Sequence, residues 1–289
     1  MILTHDEPLN LRSTLLSGQA FRWREEEGWF KGIISGNVIW IREGKRGIEF
    51  SGGPDNSDTL VKLLNNYFSF QTNIESIYQD LSFDIRISKA INKHRGMRLL
   101  RQDPWECLVS FICSSASNIP RITKNIESIC QAFGQGIEIN GELRHKFPTP
   151  TKLAQCHPSE FRELGLGYRA EYLSSTARMI SSGQVNLISL RNSSYEEALN
   201  ILTTLTGVGD KVANCVLLFS LDKPEAFPVD TWIYKAIQKW YMQSKPKIPR
   251  TKLRPWAMDY FGKNAGWANH YLFHDLRTSN YKTSKQQVH

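Results

Sequence analysis

Two spacing patterns divide the chain. Over residues 20–51 the apolar positions come in short runs: Phe21, Trp23, Trp29-Phe30, Ile33-Ile34, Val38-Ile39-Trp40-Ile41, Ile48 and Phe50. Ser35-Gly36-Asn37 and Glu43-Gly44-Lys45-Arg46-Gly47 break them. Such runs between turn residues predict an antiparallel meander. Gly52-Gly53-Pro54-Asp55-Asn56 predicts a loop. Asp58 then caps a helix to about Tyr67, and further helical pieces reach His94.

From Asp103 onward the spacing is helical. Asp103-Pro104-Trp105-Glu106 reads as an N-cap, a proline at the first helical position and a capping-box glutamate. Leu108, Phe111 and Ile112 share the buried face that follows. Asn118 caps a helix whose apolar stripe is Ile122, Ile126, Ile129, Cys130 and Phe133, ended by Gly134. Residues 137–158 are turn-rich, with three prolines. Helices are predicted near 159–164, over 172–182 and over 265–276. Lys245-Pro246-Lys247-Ile248-Pro249-Arg250 predicts a basic, proline-broken loop, and 279–289 a frayed end. The class is α+β and mostly helical: a β-sheet subdomain over 1–97, then a helical domain over 98–289.

One helical pair, over about 195–219, has chemistry in its turn. Ser194 and Glu197 have capping-box spacing, and Ala198, Ile201, Leu202 and Leu205 form one apolar face. Val212, Cys215, Val216 and Phe219 form a second. Gly207-Val208-Gly209 lies between, so a tight turn with bare backbone is allowed. The pattern is a helix-hairpin-helix. Its exposed N–H groups, backed by a helix N-terminus, make a seat for an anion such as phosphate.

Lys211 breaks a local rule, because the first turn of a helix disfavours a cation. A positive helix end and partial burial would favour the neutral amine, which is a nucleophile. A solvated surface lysine is the plainer reading. Asp230, in Pro228-Val229-Asp230-Thr231, precedes the apolar pattern Trp232, Ile233, Ala236 and Ile237. It reads as an N-cap, and equally as a carboxylate facing the lysine. His270 and His274 are spaced i, i+4 with no third ligand nearby, so a metal site is a weak alternative.

Charge sharpens the picture. The 289 residues carry a net +8, and 40% are hydrophobic. Lys235–His289 holds eleven Lys and Arg against two Asp and Glu, leaving 25 against 26 elsewhere. A basic end of this kind suits a polyanion, nucleic acid first, or else a solubilising tail. No apolar run is long enough for a membrane span, and the N-terminus does not read as a secretory signal. Five scattered cysteines suit a reducing compartment, so an intracellular protein is expected, cytoplasmic or nucleoid-associated.

The hairpin with Lys211 and Asp230 resembles the helix-hairpin-helix DNA glycosylase superfamily. Within it, the chain is similar to the 8-oxoguanine DNA glycosylase/AP lyases. The likeness recurs at Ser17-Gly18-Gln19-Ala20-Phe21-Arg22-Trp23, Leu99-Leu100-Arg101-Gln102-Asp103-Pro104 and Phe111-Ile112-Cys113-Ser114-Ser115. Leu164-Gly165-Leu166-Gly167-Tyr168-Arg169-Ala170 and Gly266-Trp267-Ala268 extend it over nearly the whole chain. The resemblance implies a repair enzyme that turns an oxidised base out of double-stranded DNA. Lys211 would attack C1′ and Asp230 would stabilise the charge on the sugar. Gly18 would offer its carbonyl to the N7–H of 8-oxoguanine, Phe273 and Cys215 would sandwich the base, and Asn269 would read its edge. Gly207, Gly209 and Val212 would grip phosphate, with Trp232 nearby, and Tyr168 would be the wedge. Asn118, Arg121 and Arg169 would face the opposite cytosine. No metal or redox cofactor is implied, and one chain would suffice.

Four positions depart from the family. Ala116-Ser117-Asn118 stands where the best-known members have three asparagines, Asn269 replaces a glutamine, and Trp232 replaces a histidine. Other readings are a related glycosylase for another oxidised base, or a non-catalytic helix-hairpin-helix DNA-binding module. The pyrimidine-specific branch usually carries four clustered cysteines after the aspartate, and none follows Asp230 here.

Overall fold

The computed structural model describes residues 1–45, 47–243 and 248–286, with side chains as far as Ser279. The N-terminal part comprises β1 (Ile2–Leu3), α1 (Leu11–Leu15), β2 (Arg24–Glu26), β3 (Trp29–Ile34), β4 (Asn37–Gly44), β5 (Gly47–Gly53) and α2 (Ser57–Tyr67). Then come α3 (Ile74–Asp80), α4 (Ile85–Lys93), α5 (Pro104–Cys113) and α6 (Ile119–Phe133). A small hairpin, β6 (Gly136–Ile139) and β7 (Glu142–His145), precedes α7 (Pro150–Ala154), α8 (Pro158–Glu163) and α9 (Arg169–Ser181). The chain continues through α10 (Tyr195–Leu202), α11 (Asp210–Ser220), α12 (Thr231–Tyr241), α13 (Arg250–Phe261) and α14 (Ala265–Gln286).

The meander is an antiparallel sheet of order β1-β5-β4-β3-β2. One face, with Phe30, Ile34, Ile39, Ile41, Ile48 and Phe50, packs on Leu60 and Leu64 of α2. Ile33 and Val38 point the other way, where Ile137 of β6 meets them. Cover on both faces explains why Ile33-Ile34 and Val38-Ile39 are continuous apolar pairs rather than alternating ones. Helices α3 and α4 bury Ile74, Ile77, Ile87 and Ile91 in the helical core, not under the sheet.

Several boundaries differ from the sequence expectation. Phe21 and Trp23 lie before β2, outside the strands; Trp23 donates to the Tyr67 hydroxyl at 2.9 Å instead. Gly52 and Gly53 belong to β5, where Gly52 pairs with Ile39. The cap of α2 is Asn56, not Asp58, which lies in the first turn. Both are good capping types, so composition did not separate them. Glu106 does not close a capping box: Asp103 caps α5, while the Glu106 carboxylate turns to Arg22, 4.0 Å away. The turn-rich stretch contains the β6–β7 hairpin, too short to register as alternation. Helix α9 begins at Arg169, and α10 ends at Leu202, leaving Ile201 exposed. Helix α14 runs on to Gln286. The basic loop falls largely on 244–247, outside the described residues, as are 287–289.

Two contacts lock the packing of the fold, one at the boundary with the N-terminal part and one among the helices. Arg98 is fully buried, and its guanidinium donates to the carbonyls of Phe68, Ser69 and Thr72 at 2.5–2.7 Å and of Pro8 at 3.3 Å. Burial lowers its pKa, opposed by Glu7 3.6 Å away. At the other end, Gly266 lets α14 meet α11. A Cβ there would lie 2.2 Å from Leu218 Cδ1 and 2.7–2.8 Å from the carbonyl oxygens of Pro224 and Ala226. Gly266→Ala is expected to destabilise the fold by about 1–3 kcal/mol, because backbone oxygens yield less than side chains. A urea midpoint unchanged from wild type would contradict this packing account.

Candidate active site

Three helix ends converge on Lys211. Helix α11 starts at Gly209, which has extended backbone and no side-chain cap. Nothing lies within 4 Å of where its Cβ would be, so this end is open. Gly207 does require its glycine: φ is +81°, and a Cβ would lie 2.4 Å from the Tyr172 ring. The α9 helix braces the turn further, through Ser175 to Thr206 at 3.0 Å and Thr176 to the Thr206 carbonyl at 3.2 Å. Val212 is buried behind the turn.

The half-buried Lys211 reaches the C-terminus of α5. Its Nζ donates to Ser114 Oγ at 2.8 Å and stands 5.1 Å from the Phe111 ring centre. Asp230 is the N-cap of α12, accepting the Ile233 N–H at 2.7 Å. Desolvation raises its pKa; the Ile233 N–H, the Lys211 charge, the Trp232 N–H and Arg250 oppose that shift. Cys215, one turn after Lys211, is buried, which pushes its thiol up to about 11; Lys211 pulls it down and Asp230 pushes it up. Lysine, aspartate and cysteine therefore share one electrostatic environment. Cap and charged neighbour are one residue, as either reading of Asp230 required.

Two of the expected pocket residues are brought directly together. Gly18 (φ +91°) and Phe273 are neighbours: a Cβ on Gly18 would lie 3.5 Å from Phe273 Cε1 and 2.9 Å from Ile119 Cδ1. The Gly18 turn is strongly held. Gln19 Nε2 donates to the carbonyls of Thr14 and Arg98 at 3.0 and 2.9 Å, and its Oε1 accepts the Leu100 N–H at 2.8 Å. Ser17 donates to Thr14 and lies 3.0 Å from His270 Nε2. Asn269 is buried and donates to the Pro228 carbonyl at 2.8 Å, two residues before Asp230. His270 and His274 face different partners: His274 packs edge-on against His94, 4.5 Å between centroids. Burial, then His94 and Arg277, holds His274 down to about 3.

The residues expected at the opposite base form a ridge beside the hairpin. Tyr168 is 51% exposed, and its hydroxyl donates to the Ser115 carbonyl at 3.1 Å. Its ring meets Tyr172 edge-on, which in turn supports Gly207. Asn118 caps α6 and Arg121 is exposed. Arg169 is not an exposed fork. It is 3% exposed and donates to the carbonyls of Ser115 and Ala116, the latter at 3.0 Å. Ala116, at φ +47°, is held there by this contact. Trp232 is 51% exposed at the start of α12. Spacing did not reveal Ser114, Phe111 or the Gln19 network, because each partner lies far away in sequence.

Residues 1–108 match the family described as the N-terminal domain of 8-oxoguanine DNA glycosylase, and 109–257 match the HhH-GPD superfamily of base excision DNA repair proteins. The N-glycosylase/DNA lyase OGG1 of Arabidopsis thaliana is 34% identical over 94% of this chain and 78% of its own. The chain belongs to the 8-oxoguanine DNA glycosylase family. This glycosylase is also similar to MBOgg1, solved with a low-affinity DNA ligand: TM-score 0.89, 34% identity, 96% and 95% of the two chains covered. The Clostridium acetobutylicum 8-oxoguanine glycosylase/lyase, solved with double-stranded DNA containing cytosine opposite 8-oxoguanine, gives 0.89, 34%, and 95% and 93%. The glycosylase is thus a DNA glycosylase/AP lyase of DNA repair, and the non-catalytic module is set aside.

Asp230 gives a test that needs no DNA. Its folded pKa is raised, so folding is disfavoured once the carboxyl must ionise. The penalty grows as pH rises from the ordinary aspartate value of about 3.9 to the folded pKa, and is full above it. Asparagine keeps the cap without the charge. Asp230→Asn is expected to be more stable than wild type at pH 7, with the gain shrinking toward pH 4. Equal gains at both pH values in urea melts would contradict this.

Proposed function

We propose that this glycosylase excises 8-oxoguanine opposite cytosine, with Lys211 as nucleophile, and then nicks the strand by β-elimination. The observation that carries the reading is the Lys211 amine at the open end of α11, with Asp230 beside it at the N-cap of α12. The neutral amine attacks C1′ and the C1′–N9 electron pair leaves with the base, which takes up a proton. The amine loses a proton and the sugar ring opens to a Schiff base. Loss of a C2′ proton expels the 3′ phosphate, and water later releases the lysine. Asp230 faces the positive charge that develops on the sugar. These steps use no metal or redox group, and one chain supplies every part, so a monomer suffices.

The remaining residues divide the work of flipping, which costs a few kcal/mol. The N–H groups around Gly207 and Gly209, seated on Val212, grip phosphate without regard to sequence, with Trp232 alongside. Tyr168 fills the gap. Gly18 offers its carbonyl to the N7–H that guanine lacks, between Phe273 and Cys215. Asn269 holds the Pro228 carbonyl with one N–H, so a contact to the base uses its oxygen or its second N–H. Arg121 is the exposed fork for cytosine, while Arg169 and Asn118 hold the loop beneath it.

Lys211→Gln is expected to lose excision, nicking and the borohydride-trapped crosslink while still binding an 8-oxoguanine duplex. A crosslink that survives in that variant would refute the nucleophile. Thymine glycol and undamaged guanine duplexes, run alongside, test the lesion. Arg121→Ala should slow excision opposite cytosine by about 10- to 100-fold, the weight of one bidentate base contact. The same loss opposite all four bases would contradict base reading by Arg121.

A further inference from the structure

We infer that Ser114 aims the Lys211 amine, as a positioning residue that leaves the nitrogen lone pair free. The inference rests on Lys211 being the nucleophile. Ser114 Oγ has one proton, and it is committed: the hydroxyl donates to the Phe111 carbonyl at 2.7 Å. Toward Lys211 Nζ, 2.8 Å away, it therefore acts only as an acceptor.

The direction matters. A hydroxyl that donated to a neutral amine would occupy the lone pair that must attack C1′. A hydroxyl that accepts takes one N–H and leaves that pair unused. Phe111 limits the amine on a second side with its ring, so two groups of one helix end define where the nitrogen sits.

That helix end is itself fixed. In α5 every residue but Glu106 is buried. Phe111 stacks on Phe219 of α11 at 5.6 Å, and the Ser114 N–H also donates to the Phe111 carbonyl, at 3.2 Å. The acceptor is thus referenced to the helix that carries the lysine. A free lysine side chain holds about 2 kcal/mol of rotamer entropy. Restricting it before substrate arrives favours a near-attack geometry. Asp230 and Cys215, the titratable groups whose charges act on Lys211, make no such contact to its Nζ among the described residues.

The test compares Ser114→Ala with Ser114→Thr, which keeps an accepting hydroxyl. Both are assayed for single-turnover excision from an 8-oxoguanine:cytosine duplex and for borohydride trapping on an abasic duplex. Ser114→Ala should lose about 10- to 100-fold in both rates, the scale of a misplaced catalytic group. Duplex Kd should be unchanged, and Ser114→Thr should restore most of the loss. Trapping needs no base pocket, so a fall in excision alone would overturn the inference. So would wild-type rates in Ser114→Ala, or a loss confined to Kd. Lys211→Gln in parallel separates the two ideas. No trapping there with wild-type trapping in Ser114→Ala overturns the inference alone. Trapping that survives Lys211→Gln overturns both.

Discussion

The proposed active site depends on one buried carboxamide. Asn214 lies in the middle of α11 with no exposed surface. Its Nδ2 donates to the Asp210 carbonyl at 2.8 Å, while its Oδ1 accepts from the Tyr195 hydroxyl at 2.8 Å and the Phe227 N–H at 3.3 Å. Arg254 of α13 closes a ring, donating to Tyr195 and to Asp210, each at 2.9 Å. Around the buried Asn214 these bonds are costly to leave unmade, while the Arg254–Asp210 pair closes the ring at the surface. Lys211 lies three residues before Asn214, and Asp230 three residues after Phe227. One side chain therefore ties together both helices of the hairpin and the segment that presents the carboxylate.

The site also accepts local disadvantages that a purely structural design would avoid. Helix α11 starts without a side-chain cap and with a lysine in its first turn. Asp230 is kept where desolvation works against its charge. Arg169 is buried to hold the carbonyls beneath a residue at positive φ. The dense helical packing around these positions absorbs such costs. What remains is an open helix end with a lysine and a carboxylate in fixed relation, as the proposed charge-stabilising chemistry requires.

Features set by spacing were legible in the chain. The Ser194 capping box, the buried stripe of α11, the Asn118 cap and the meander all follow from period and turn chemistry. Misreadings arose where two residues of like propensity compete, as Asn56 and Asp58 do, or where an element is too short to show a period, as with β1 and β6. A third group was invisible because its meaning lies in distant partners. Glu106 has capping-box spacing but turns to Arg22. By resemblance Arg169 would face the opposite cytosine, but its guanidinium is bonded 53 and 54 residues back in the chain. Ser114 lies in a stretch that resembles the family, but its role has no sequence signal until Lys211, 97 residues on, is brought against it.

The neighbourhood of Gly18 and Phe273 has a consequence for the chain during its synthesis. One residue comes from the first turn of the protein and the other from its last helix, and the Ser17–His270 bond spans 253 residues. The hairpin's own supports, Tyr172 and Ser175, precede it by only about thirty positions. A chain emerging from a ribosome therefore completes the hairpin and its supports well before α14 meets the Gly18 turn. The contact between the two ends of the chain is the last to form, so the neighbourhood of Gly18 and Phe273 exists only once α14 has been made.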